Sequence, residues 1–281
     1  MTLLQDQLDE ITANTRHLVQ AERLAVGERA VEELFATGIE NRILPVGALA
    51  PSFAIKDSHG KLIRSEDMLE LGPLVVKFFR GRWCPYCITE LETWRGLYGQ
   101  LRDRGALMVA VGPQIERQSD FMVSQHGIQF PVLSDPGCAL AEQFGLVYTV
   151  PEYYREYYLS ILVNIPFVNG DKSWRLPLPA TYVIGRDNRV LFAEAHADFR
   201  VRPEPQEVLA AVSAARDTKE IRQKSNHSGI GASFHRRRLH RDLQLRVCAF
   251  TVDTGDRCLL RTRLNAHGES YARTGISEKR G

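Results

Sequence analysis

The chain has 281 residues, of which 44% are hydrophobic, 9% aromatic and 25% charged; this suits a folded protein with a buried core and excludes a wholly disordered chain. Its 21 Gly and 13 Pro follow no period, which excludes collagen-like and other low-complexity classes. The formal net charge of +2 conceals an asymmetry, because residues 214–281 carry 15 Lys and Arg against 7 Asp and Glu, leaving 21 against 27 in residues 1–213.

Residues 3–36 read as helix in two pieces. Leu4, Leu8, Ile11 and Leu18 fall near helical spacing, as do Val31, Leu34 and Phe35. Gly27 weakens the middle and Gly38 offers a C-cap. Two readings stand for this segment: a dimer arm, and a helix packed on the domain, the second being preferred. Next, Phe53-Ala-Ile-Lys-Asp57 and Lys61-Leu-Ile-Arg64 read as short strands flanking a turn at Ser58-His59-Gly60. Residues 73–79 form a continuous apolar run, the pattern of a strand buried on both faces. The run leads into Arg80-Gly-Arg-Trp-Cys-Pro-Tyr-Cys87 and a helical stretch, 88–104.

Alternation then continues: strand 106–112, helix 115–126, strand 130–133, short helix 136–144, strands 181–184 and 190–195, and a closing amphipathic helix 204–216. Strands alternating with helices imply an α/β architecture. Residues 148–176 interrupt this order with an insertion rich in aromatics, among them Tyr148, Tyr153, Tyr154, Tyr157, Tyr158, Phe167 and Trp174. A substrate mouth, an oligomer interface and a self-packed helical cap are all consistent with that density. The expected organisation is a helical extension over 1–44, a domain over 45–216 and a basic tail over 217–281.

The tail shows no helix or strand period and is expected to be disordered. It has no aromatic platform or folded recognition motif, so nucleic acid is not an expected partner. No stretch reaches the ~18 apolar residues of a membrane span. The first ten residues lack a basic segment followed by an apolar one, so a cytoplasmic location is expected.

Chemistry concentrates at Cys84 and Cys87. The thiolate is the nucleophile, and a helix N-terminus favours it through unpaired N–H groups and the helix dipole. Pro85 suits the first position of a helix, which would place Cys84 at its cap. Cys87 then lies one turn on, within disulfide reach. Arg80 and Arg82 can add positive charge, and Trp83 can shield the sulfur. No second ligand pair stands nearby, which argues against zinc; no metal, flavin or nicotinamide is expected. Cys138 reads as a buried packing residue. Cys248 and Cys258, in the tail, do not form a zinc pattern. His126 and His196 are isolated. Asp135 and Glu90 read as a helix cap and a first-turn carboxylate.

The segment from Arg80 to Glu90 resembles the active-site stretch of the thioredoxin superfamily, with a glutaredoxin-like Cys-Pro-Tyr-Cys centre. Gly47-Ala-Leu-Ala-Pro-Ser-Phe-Ala-Ile55, Phe130-Pro-Val-Leu-Ser-Asp-Pro-Gly137 and Pro179-Ala-Thr-Tyr-Val-Ile-Gly-Arg-Asp187 resemble, in order, segments of the alkyl hydroperoxide reductase/thiol-specific antioxidant (AhpC/TSA, peroxiredoxin) family. The resemblance spans about residues 45–212. It implies a thioredoxin-like fold, a central mixed sheet flanked by helices. It also implies reduction of hydrogen peroxide or alkyl hydroperoxides and re-reduction by thioredoxin or a glutaredoxin-type dithiol donor; a homodimer is the assembly that goes with the dimer-arm reading of the N-terminal helices. Peroxidase chemistry is the leading expectation. A general thiol–disulfide oxidoreductase and a redox-sensing interaction protein are the alternatives.

By the peroxiredoxin pattern Cys87 attacks; by the thioredoxin pattern Cys84 attacks and Cys87 resolves. Both assignments stand at this point. Three positions depart from the peroxiredoxin pattern. Arg80 replaces a Pro, Cys84 replaces a Thr, and Pro179 stands where a second active-site Arg is expected. Thioredoxins place a cis-proline facing their Cys pair at that last position.

Overall fold

The computed structural model describes residues 3–215. The basic tail anticipated over 217–281, with Cys248 and Cys258, lies outside the described residues. Helices α1 (Leu4–Leu18) and α2 (Ala21–Ala36) come first. The break between them falls at Val19 and Gln20 rather than at Gly27, since Val19 turns to extended backbone while its N–H still closes on Thr15 O. A hairpin follows, β1 (Ala54–Lys56) and β2 (Leu62–Arg64). Its turn is built by Asp57, whose Oδ1 accepts the N–H groups of His59 and Lys61 at 2.9 Å each. Then come α3 (Ser65–Leu71), β3 (Leu74–Phe78), α4 (Pro85–Asp103), β4 (Leu107–Gly112), α5 (Glu116–His126) and β5 (Val132–Ser134). Helix α6 (Ala139–Gln143) leads into the insertion region, which holds β6 (Val147–Thr149), α7 (Glu152–Ser160), α8 (Ile165–Asn169) and β7 (Arg175–Pro177). The described residues end with β8 (Ala180–Ile184), β9 (Val190–Ala195) and α9 over residues 205–215.

Five strands form one mixed sheet in the order β5-β4-β3-β8-β9. The β3–β4 and β4–β5 pairs are parallel, whereas β8 runs antiparallel to β3 and to β9. The apolar run of β3 sits at the centre, and all five of its residues are buried. Its alternation divides the core. Leu74, Val76 and Phe78 face one apolar cluster, while Val75 and Phe79 face the other. The second face is covered by α4 through Leu91, Trp94, Leu97 and Leu101, and by α9 through Val208, Leu209 and Val212. Helix α1 joins the same cluster with Leu4 and Leu8. Its first N–H groups, on Leu4 and Gln5, donate to the Glu204 carboxylate at 3.0 and 2.8 Å, which satisfies two donors that a helix start leaves open. This sheet with helices on both faces is the thioredoxin-like architecture that the resemblance implies.

The insertion packs on the N-terminal helices. Ala30 of α2, Val150, Tyr154, Tyr158, Ile165 and Leu176 make a third cluster. Strands β6 and β7 pair antiparallel beneath it. No helix among the described residues is long and apolar enough to cross a membrane.

Candidate active site

Cys84 and Cys87 stand where central strand β3 hands over to helix α4. Phe79 prolongs the strand and lies against Gly112, where any Cβ would collide with its ring. Gly81 has φ +151°, and a Cβ there would strike the Trp83 indole, so the turn requires glycine. Cys84 is the N-cap of α4, with Pro85 as first helical residue, and its N–H closes on Gly81 O at 3.1 Å. Cys87 lies in the first turn of the helix. Both sulfurs are free thiols in this state, and both residues are almost fully buried, 1% and 0% exposed.

Each sulfur faces its own guanidinium. Arg80 Nη1 lies 4.0 Å from Cys84 Sγ, and Arg202 Nη2 lies 3.7 Å from Cys87 Sγ. Arg202 spends its other donors on Glu90 Oε2, at 2.8 Å, and on Val201 O, at 2.7 Å. Glu90 also pairs with Lys77 on β3, which in turn donates to Thr181 Oγ1 at 2.7 Å. Glu90 is not the first-turn carboxylate expected, because α4 starts at Pro85 and places it in the second turn, where it joins two buried cations behind Cys87. Arg80 is held by Tyr158 of α7 through Nη2, and its Cζ sits 4.1 Å from the Phe199 ring centroid and 5.0 Å from that of Trp83.

These surroundings split the thiols. At Cys87 burial works against ionisation, but the Cys84 hydrogen bond and the Arg202 and Arg80 charges outweigh it and bring the thiol down to about 6. At Cys84 burial, the Cys87 hydrogen bond and the neighbouring thiolate push ionisation well above the usual thiol range. The two sulfurs titrate as a pair, with Cys87 the more acidic of the two. Burial lowers Lys77 as well, against the opposing pull of Glu90.

Access is unequal. A cavity of about 170 Å³ reaches Cys84, Trp83 and Pro85, but Cys87 does not line it. Its walls come from α1, α2 and α7, so the insertion supplies one side of the approach to Cys84. A larger cleft of about 510 Å³ lies between α2 and the β6–β7 hairpin and shares Arg80, Tyr154 and Phe199 with the first.

The AhpC/TSA family model matches residues 46–193, more than half of the chain. The chain belongs to the AhpC/TSA family. Among named relatives, the thiol-disulfide oxidoreductase ResA of Bacillus thuringiensis (strain Al Hakam) is 28% identical over 123 residues, covering 43% of this chain and 68% of that protein. ResA of Bacillus subtilis (strain 168) is 34% identical over 91 residues, covering 32% and 49% respectively. The putative peroxiredoxin bcp of Helicobacter pylori (strain J99) is 29% identical over 92 residues, covering 33% and 60%. Among solved structures, peroxidoxin BcpB from Mycobacterium tuberculosis aligns with a TM-score of 0.48 at 21% identity, covering 61% of this chain and 97% of that one.

Two of the expected features differ in the structure. Arg82 turns away from the sulfurs: its Nε donates to Gln118 Oε1 at 2.6 Å and its Cζ lies 5.0 Å from the Phe121 ring centroid. Pro179 is buried at the start of β8, but no peptide bond among the described residues is cis. The chain runs extended from β7 into β8, with Leu178 N–H bonded to Leu146 O at 2.8 Å, and a trans bond at Pro179 continues that path. The guanidinium that faces Cys87 is that of Arg202, beyond β9. Cys138 is buried in the first core cluster, where burial raises its thiol to about 12. His126 and His196 bond Glu92 and Glu194 rather than the sulfurs. Asp135 caps α6, accepting from Leu140 and Ala141 N–H groups at 3.0 Å. Among the described residues, no cluster of three or more His, Cys, Asp or Glu could hold a metal ion.

Proposed function

We propose that this AhpC/TSA chain is a thiol–disulfide oxidoreductase in which Cys84 meets the substrate and Cys87 completes the exchange. The observation that carries this reading is the cavity, which reaches Cys84 and stops short of Cys87. At rest the Cys84 thiol donates its proton toward the Cys87 thiolate. Transfer of that proton across the S–H···S bond places the negative charge on Cys84, beside Arg80. The Cys84 thiolate attacks one sulfur of a substrate disulfide, forms a mixed disulfide and releases the other sulfur as a thiolate. Cys87, once deprotonated, attacks Cys84 Sγ; the Cys84–Cys87 disulfide forms and the second substrate thiolate leaves. Two electrons pass from the pair to the substrate, and the departing thiolates take up one proton from the pair and one from solvent. A dithiol donor of the thioredoxin or glutaredoxin type restores the pair by the same exchange in reverse.

Peroxide reduction is the second reading, favoured by Cys87 itself. It occupies the peroxidatic position of the family pattern, its thiol is lowered to about 6 and Arg202 faces its sulfur. Attack there on a peroxide O–O bond would give a sulfenic acid, and Cys84 would condense with it to the same disulfide and water. Turnover of bis(2-hydroxyethyl) disulfide and of hydrogen peroxide, each with a thioredoxin-regenerating system, separates the two. Our reading predicts disulfide turnover that Cys84→Ser abolishes, with peroxide consumption close to that of a free thiol. Fast peroxide turnover lost in Cys87→Ser, with slow disulfide reduction, would establish the second reading instead.

A further inference from the structure

Arg80 is a buried cation without a carboxylate. It is 1% exposed, and no acidic side chain among the described residues forms an ion pair with it. The other two buried cations at the site, Lys77 and Arg202, share Glu90. Arg80 instead has a phenol, two aromatic faces and the Cys84 sulfur, and its Nε is buried with no acceptor. A second donor beside it, the Trp83 indole N–H, is also buried without an acceptor. Burying a charge this way is costly unless an opposite charge meets it.

Both cavities abut this guanidinium. The one that opens on Cys84 is walled by Trp83, Tyr86, Tyr154, Tyr157, Tyr158 and Phe199, six aromatic side chains around about 170 Å³. A dry apolar cavity of about 150 Å³ is enough to take up a benzene-sized ligand. Aromatic walls favour a flat apolar group through offset and edge contacts. A guanidinium prefers a carboxylate, which accepts two parallel N–H bonds.

We infer that the Cys84 cavity binds small organic anions in which a carboxylate meets Arg80 and an aryl-sized group fills the aromatic walls, so that the substrates are low-mass disulfides of that kind. As a statement about substrate class, this rests on the thiol–disulfide reading; the binding site itself does not. It also explains why the N-terminal helices and the insertion converge here, since together they enclose a ligand that an open helix end could not hold.

The test is a titration of the reduced full-length protein, labelled with ¹⁵N at its three tryptophans. The indole resonance of Trp83, assigned with Trp83→Phe, reports binding of 2-naphthoate, which has no sulfur or peroxide to react. The expected result is a saturable shift, with 2-naphthoate binding at least about tenfold tighter than the neutral isostere 2-naphthylmethanol. Arg80→Gln should erase that preference and Arg80→Lys should restore part of it. Val31→Phe, which fills the wall shared by both cavities without touching Arg80, should block both ligands. Equal affinity for the two ligands in the unaltered protein, absence of a saturable shift, or binding unchanged in Val31→Phe would overturn the inference. No turnover enters this readout, so failure here is distinct from failure of the redox reading, which the disulfide and peroxide assays decide.

Discussion

Two sulfurs three residues apart in sequence acquire opposite acidities because each has a different arginine and they share one proton. Cys87 ionises first, lowered to about 6 against burial by the Cys84 hydrogen bond and by Arg202 and Arg80. The thiolate absorbance of the reduced protein near 240 nm should therefore rise with a first midpoint close to 6, well below the ~8.5 of a free cysteine. Arg202→Gln removes the guanidinium at 3.7 Å and should move that midpoint up by about one unit or more. An unchanged midpoint would assign the shift to the sulfur pair and Arg80. The residues that carry the thiols were legible in the sequence, because a Cys-x-x-Cys at the end of a buried strand has few other uses. Arg80 was legible by adjacency. Arg202 was not, since it reaches Cys87 across 115 positions and no local pattern marks it. Glu90 was visible as a residue, but its two cationic partners come from a strand interior and from beyond β9.

At the level of elements, most strands and helices over 53–144 follow from apolar periodicity and turn residues, but α3 (Ser65–Leu71), a single short helix, carries too few residues to show a period and is not among the expected elements. The insertion was less readable. Its tyrosines fall on α7 and on β6, and their faces are set by α2 and by Arg80 rather than by any spacing of their own. The N-terminal segment illustrates the same point. Helical spacing identified Leu4 and Leu8 as one face, but only the packed structure shows that face buried in the core cluster of α4 and α9. Leu8, which is fully buried, is accordingly a structural residue of the domain. Leu8→Ala should cost about 2–5 kcal/mol in chemical denaturation, as large-to-small core changes do. A change within about 0.5 kcal/mol, the range of surface substitutions, would return the helix to the status of an appended arm.

For the molecule as a whole, the site couples redox state to stability. Lys77, Arg80 and Arg202 are buried cations, and Glu90 is the carboxylate that answers two of them. In the reduced protein the Cys87 thiolate adds a second negative charge. Forming the disulfide removes it and leaves positive charge uncompensated, which lowers the stability of the oxidised fold. The pH dependence has a definite sign. Cys87 is lowered in the folded state, so unfolding takes up a proton between about 6 and the ordinary thiol range. Its stabilisation is full above that range and is lost as pH falls through about 6. The reduced form should thus melt above the oxidised form at pH 8, and the gap should narrow toward pH 6. A gap that widens on acidification would reverse the assignment of the thiolate.

The measurement that bears most directly on the account is trapping of the covalent intermediate. Full-length Cys87→Ser and Cys84→Ser proteins, reduced and then exposed briefly to bis(2-hydroxyethyl) disulfide, are mapped by peptide mass spectrometry. The account predicts a stable mixed disulfide on Cys84 in the Cys87→Ser protein and little adduct on Cys87 in the Cys84→Ser protein. Rapid adduct formation on Cys87, with Cys84 left unmodified, would show that the buried sulfur meets the substrate and would contradict the assignment of Cys84.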